Sequence, residues 1–276
     1  MGDPLASYDR DELTFEGKTR TVFRRGTGPA VIVMAEMPGI TPKVVAFADR
    51  VVDIGCTAVL PHLFGVPGKR GIDAGPVQAI TYTTSSIVPA CVSKEFTVLA
   101  TGRTSPVISW LRALARHEHD RCGGPGVGAI GMCFTGGFAL AMAADDRLLA
   151  PVLSQPSLPF GVGRSRRRNI DCSAEDLAVV KQRCAAEGLT VLGMRFTGDR
   201  MVPGERFDFL REQLGDAFVA VEIDSSKGNP FGNPAMAHSV VTENLVDEPG
   251  HPTRAALDQV LDLFRTRLLQ EESGRP

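Results

Sequence analysis

Val127-Gly128-Ala129-Ile130-Gly131-Met132-Cys133-Phe134-Thr135-Gly136-Gly137-Phe138-Ala139-Leu140-Ala141-Met142-Ala143 is the stretch on which the architecture turns. Its first six residues, Val127 to Met132, are apolar or glycine and read as a strand buried on both faces. Its end, from about Thr135 to Ala144, reads as an apolar helix. Between them a turn rich in small residues carries one reactive group, the Cys133 thiol. A strand entering a helix this sharply forces the residue at the bend into a tight backbone conformation and needs small neighbours, because its flanks approach each other closely. A phosphate-binding loop would need Lys-Ser/Thr after the glycine or a G-x-G-x-x-G spacing, and neither is present. Cys133 taken alone would also suit a buried core position. In this turn it reads as a presented nucleophile at a helix N-terminus, where unpaired N–H groups favour a thiolate.

The same alternation extends in both directions. Upstream, Thr19 to Phe23 predicts a half-exposed strand, Ala30 to Ala35 a buried strand, Pro42 to Ile54 an amphipathic helix closed by Gly55, and Cys56 to Leu60 another buried strand. Gly65 to Ala100 is too long for a bare connector and is expected to cover the sheet's upper rim. A helix from Ser105 to His117 leads into the central stretch. Downstream come a strand at Pro151 to Gln155, a helix at Ala174 to Ala186, a strand at Thr190 to Phe196, a helix at Gly204 to Leu214, a strand at Ala217 to Ile223 and a final amphipathic helix, Thr253 to Leu269. Strand, helix, strand with short links implies right-handed crossovers and a mostly parallel sheet with helices on both faces. With no internal repeat or second core, residues 1–276 read as one α/β domain.

Composition narrows the function. At 276 residues, 43% hydrophobic and 22% charged, the chain can bury a sizeable core. Its 30 Lys+Arg against 32 Asp+Glu give a net charge of −2, so no global field draws it to nucleic acid or an anionic membrane, and a small-molecule substrate fits better. No apolar run approaches the roughly 18 residues of a membrane span. Met1 to Glu16 is polar and mixed in charge, unlike a secretory leader, and reads as mature sequence. Six dispersed cysteines (Cys56, Cys91, Cys122, Cys133, Cys172, Cys184) without a C-x-x-C predict free thiols in a reducing cytoplasm.

In an open parallel sheet, ligands bind beyond the carboxyl ends of the strands. Besides Cys133, that edge receives Glu36, after the strand ending at Ala35, and Asp199, after the strand ending at Phe196. Asp199 suits either an orienting carboxylate or a helix N-cap. A polar loop from Ser225 to Ala237 then delivers His238, with His251 as its rival. The basic run Arg164, Arg166, Arg167 and Arg168 reads as a solvated loop that could also steer an anionic substrate. His117, His119 and Cys122 have loose ligand-like spacing but sit among charged neighbours at a helix end, so no metal is expected there.

The central stretch resembles the nucleophile elbow of the α/β hydrolases, with cysteine in place of serine, and the order nucleophile, acid, histidine is theirs. More closely, the chain resembles the dienelactone hydrolase family through Val31–Gly39 (VIVMAEMPG), Leu60–Gly65 (LPHLFG), Ile130–Gly137 (IGMCFTGG), Gly198–Pro203 (GDRMVP) and Ala237–Ser239 (AHS). Two departures stand out. Thr135 occupies a position where the family elbow usually has glycine, and His62 replaces the Asp of a common Pro-Asp-Leu. The arginines that bind the dienelactone carboxylate in the type enzymes find no match.

The resemblance implies an α/β-hydrolase fold and hydrolysis of an ester or lactone, with no cofactor. It makes Cys133 the nucleophile, His238 the base, Asp199 its orienter and Glu36 the carboxylate that contacts the resting thiol. The backbone N–H groups of Met37 and Phe134 are the expected oxyanion donors. A monomer or homodimer is expected. The alternative is a non-catalytic ligand-binding or redox-sensing protein on the same fold, for which Thr135 is the best support, since a displaced turn would spoil the oxyanion site.

Overall fold

The computed structural model describes residues 2–69, 96 and 101–269. Eight strands form one sheet in the order β1-β2-β4-β3-β5-β6-β7-β8. They are β1 (Asp9–Phe15), β2 (Lys18–Arg25), β3 (Ala30–Met34), β4 (Thr57–Pro61), β5 (Val127–Met132), β6 (Leu148–Ser154), β7 (Val191–Phe196) and β8 (Phe218–Ile223). β1 and β2 pair antiparallel, as do β2 and β4, and every pair from β4 through β3 to β8 is parallel.

Helices cover both faces: α1 (Pro42–Asp53), α2 (Val107–Cys122), α3 (Phe138–Met142), α4 (Arg164–Arg167), α5 (Ala174–Glu187), α6 (Gly204–Leu214) and α7 (Pro252–Phe264), the last extended by a π-type turn, Arg265–Leu269. β3 shows why the middle of the sheet is uniformly apolar. Ala30, Ile32 and Met34 pack with α2, α3, α5 and α6, whereas Val31 and Val33 pack with α1 and α7. Local signals set the helix ends. Thr41 caps α1, accepting from Val44 N–H at 3.4 Å, with Pro42 at the first helical position. Ser173 caps α5 and Gly188 closes it in the left-handed conformation.

Five expectations need correction. β1 lies in the polar N-terminal stretch that carries no strand signal; five of its seven residues are charged or polar and exposed, and its pairing with β2 holds it. β6 starts at Leu148, three residues earlier than expected, and α2 runs to Cys122. The helix expected from Thr135 is broken in two: a 3₁₀ turn, Cys133–Thr135, precedes a short α3 of five residues. The unforeseen α4 is a single turn of the arginine run. Most of the expected covering segment, Gly65 to Ala100, lies outside the described residues. Phe96 within it is buried, its ring 5.2 Å from that of Phe134 and 6.1 Å from that of Phe138.

Candidate active site

Cys133 terminates β5 with φ of +53°, a left-handed conformation that a side chain adopts only when its surroundings impose it. Two glycines make the bend possible. A Cβ on Gly131 would lie 2.0 Å from the carbonyl oxygen of Thr135, and one on Gly136 would lie 2.4 Å from Pro156 Cα. Thr135 fits because its hydroxyl has work to do: Oγ1 accepts from Met132 N–H and donates to the Met34 carbonyl, both at 2.9 Å. The departure from glycine therefore stitches the elbow to the end of β3. With α3 five residues long and beginning at Phe138, the helix dipole expected to act on the thiol is weak and displaced.

Asp199 follows β7 and is buried. Its Oδ1 accepts from Met201 N–H at 2.9 Å, and its Oδ2 lies 2.6 Å from His238 Nδ1. His238 stands in the long loop between β8 and α7, where Asn244 fixes the backbone by accepting from the N–H groups of His238 (2.9 Å) and Ser239 (3.1 Å). With Nδ1 committed to Asp199, the other ring nitrogen, Nε2, is buried and bonds to none of the described residues. Burial opposes charge on this ring, but the electrostatic influence of Cys133 and the hydrogen bond to Asp199 outweigh it and push His238 up to about 11. His251 does something else: it caps α7, with Nδ1 accepting from Thr253 N–H at 3.3 Å, and packs against Phe231.

Glu36, after β3, is buried beneath this loop. Its Oε2 accepts from Ser239 Oγ (2.6 Å) and Gln155 Nε2 (3.2 Å), and its Oε1 accepts from Thr242 Oγ1. The Cys133 thiol is not among these donors; they come from the histidine loop and the end of β6. Burial raises the Glu36 carboxyl above the usual range despite the hydroxyls of Ser239 and Thr242. Gln155 also accepts from Val240 N–H through Oε1 at 3.2 Å, with its own backbone at φ +36°. One buried network thus joins β3, β6 and the histidine loop.

The N–H of Met37, one residue past Glu36, donates to none of the described residues. That of Phe134 lies in the first turn after the bend, where a helical segment has no internal partner for it. The arginine run turns outward: Arg167 pairs with both carboxylate oxygens of Glu205 at 2.9 Å, and Arg168 pairs with Glu212. His119 bonds the Gly124 carbonyl, and the His117 ring packs on Phe15. Among the described residues, no group of three or more His, Cys, Asp or Glu could hold a metal, and no helix is long and apolar enough to cross a membrane.

Sequence reasoning missed Gln155 and Thr242. The available signal was the polar Ser154-Gln155-Pro156-Ser157 directly after a buried strand, at the edge where ligands bind.

The family model described as "Dienelactone hydrolase family" matches residues 19–265. Among solved structures, a putative dienelactone hydrolase from Klebsiella pneumoniae superposes with a TM-score of 0.58 at 15% identity, over 93% of this chain and 97% of that one. A dienelactone hydrolase from Anabaena variabilis gives 0.57 at 17% identity, over 95% and 99%. A metagenomic protein described as a dienelactone hydrolase-like promiscuous phosphotriesterase gives 0.59 at 16%, over 95% and 98%. At these identities the likeness establishes the α/β-hydrolase fold. Among curated proteins no sequence match is found.

Proposed function

The chain belongs to the dienelactone hydrolase family, and on that premise we propose that it cleaves an ester or lactone bond with Cys133 as nucleophile, through a thioester intermediate. The observation that carries this reading is the pairing of a left-handed cysteine on a strand-to-helix bend with a histidine whose Nδ1 is held by a buried carboxylate and whose Nε2 has no described partner.

In the first half-reaction the Cys133 proton resides on His238 Nε2 and the sulfur attacks the carbonyl carbon. The carbonyl electrons move to oxygen, where the N–H groups of Met37 and Phe134 receive the charge. Collapse expels the alkoxide, which takes the proton from His238 and leaves a thioester. In the second half, His238 accepts a proton from water as it attacks, and Cys133 departs as thiolate. Asp199 holds the ring in the tautomer and orientation that both halves need. Glu36 shapes the histidine loop. The bond of the Thr135 hydroxyl to β3 supports the catalytic reading over the non-catalytic one, because it gives that side chain a place beside the turn.

The substrate is taken to be a small neutral or modestly charged ester, and the free thiols at Cys56, Cys122, Cys133, Cys172 and Cys184 support a working place in a reducing cytoplasm. The test is release of nitrophenol from p-nitrophenyl esters. A burst followed by turnover, both abolished in Cys133→Ala and His238→Ala, is expected. Turnover that survives in Cys133→Ala overturns the reading. Thioesters and an aryl phosphotriester in the same panel define the range of acyl or phosphoryl groups accepted.

A further inference from the structure

The loop after β6 brings one more polar side chain to the sulfur. Ser157 Oγ stands 3.5 Å from Cys133 Sγ, and Ser157 N–H donates to the Cys133 carbonyl at 2.9 Å, so loop and elbow are joined twice. Ser157 is 1% exposed, and among the described residues the sulfur is the only hydrogen-bond partner of its hydroxyl. The hydroxyl is also held in place from behind. Arg206, buried in α6, donates to the carbonyls of Pro156 (2.6 Å) and Pro159 (2.5 Å), on either side of it. Just before them, Gln155 N–H donates to the Met194 carbonyl at 2.8 Å. Clamped at residues 155, 156 and 159, the loop holds the Ser157 backbone beside the sulfur.

We propose that Ser157 is a further catalytic residue, whose hydroxyl donates a hydrogen bond to the Cys133 sulfur while that sulfur carries negative charge. The proposal rests on Cys133 being the nucleophile. Serine loses no proton: the thiol proton goes to His238 Nε2, and the hydroxyl hydrogen stays on oxygen as it bonds to the thiolate. Once the sulfur is acylated its charge is gone and the bond weakens. When water breaks the thioester the charge returns, and the same donor assists the departure of sulfur. A donor to a charged group favours the charged form, so its loss raises the pH needed to ionise the thiol. A less stabilised thiolate is also the stronger nucleophile, so the rate at high pH does not fall.

The test is the rate of alkylation of Cys133 by iodoacetamide against pH, read by mass spectrometry on the peptide that contains Cys133 so that other cysteines do not intrude. The groups that face the sulfur or act on it through the ring are His238, Asp199 and Glu36, and none is altered. In Ser157→Ala the midpoint is expected to move up by about one pH unit, roughly a tenfold loss of reactivity on the acid limb, with the high-pH plateau equal or higher. Ser157→Thr, which keeps the hydroxyl, is expected to restore the parent curve, and Ser157→Gly provides a second hydroxyl-free variant. Circular dichroism confines the comparison to folded protein. With an ester substrate, deacylation is expected to slow more than the burst. Superposable alkylation curves for the parent, Ser157→Ala and Ser157→Gly overturn the proposal and leave the nucleophile reading intact. A shifted midpoint in a protein whose ester turnover does not depend on Cys133 overturns that reading instead.

Discussion

Asp199 and Glu36 are both buried carboxylates at the carboxyl ends of parallel strands, and both touch the loop that carries His238, yet they are used differently. Asp199 faces a ring nitrogen and a backbone N–H, so its charge acts on the charge of the imidazole. Glu36 faces an amide and two hydroxyls, all neutral, and two of the three belong to Ser239 and Thr242 on the histidine loop. One carboxylate sets the protonation and tautomer of the ring, and the other sets the path of the backbone that delivers it. Burial and partner, not residue type, divide the roles.

The hardest test of that division is Asp199→Asn. An amide cannot stabilise the imidazolium or enforce the tautomer, so kcat is expected to fall by roughly 10³–10⁴-fold with little change in stability, measured on a p-nitrophenyl ester and by urea unfolding. Equal losses in Asp199→Asn and Glu36→Gln would erase the distinction.

Glu36→Ala is expected to show the reverse pattern. It strands three donors in a buried space, and stability should fall by about 2–4 kcal/mol in urea unfolding. Because burial already raises the Glu36 carboxyl, a neutral isostere suits the site better, and Glu36→Gln should cost no more than about 1 kcal/mol.

The pH dependence sharpens the Asp199 side. His238, pushed up to about 11 by Cys133 and Asp199 against the opposing effect of burial, lies above its unfolded value of about 6.5. Its contribution to stability is therefore complete below about pH 6.5 and is lost as pH rises through about 11. Urea midpoints should decline across that window, less steeply in Cys133→Ala. The His238 ring signals in NMR should titrate lower in both Cys133→Ala and Asp199→Asn.

The smallest effect belongs to single donors on the Glu36 side. Thr242→Val should lower stability by about 1 kcal/mol with kcat nearly unchanged, since Ser239 and Gln155 remain on the carboxylate.

Local signals made the parallel half of the molecule legible before any coordinates. Continuous apolar runs at Ala30–Met34 and Val127–Met132 state burial on both faces, and the small residues around Cys133 state a sharp bend. What could not be read depends on distant partners. β1 offers only Leu13 and Phe15 to the core among five charged or polar residues, too weak a pattern to announce the strand that pairs with β2. The duties of Gln155 and Thr242 arise from contacts with Glu36 across 119 and 206 positions of the chain. The hydrogen-bond partners of Glu36 were hidden for the same reason: the residue was identified, but its neighbours were not. The break between the 3₁₀ turn and α3 was hidden because Gly136 and Gly137 are needed for close approach to Pro156 and Ile170, which sequence spacing does not reveal.

The Thr135 hydroxyl, bonded at once to the strand that bears the nucleophile and to the one that leads to Glu36 and Met37, makes the bend a poor candidate for transplantation. Moving Gly131–Gly137 into a relative whose elbow carries glycine would import a side chain that needs the neighbouring strand end to stand where the Met34 carbonyl stands here. The reverse graft would leave the Met132 amide and the Met34 carbonyl facing an empty space. Engineering of this scaffold must exchange the two strand ends as one cassette.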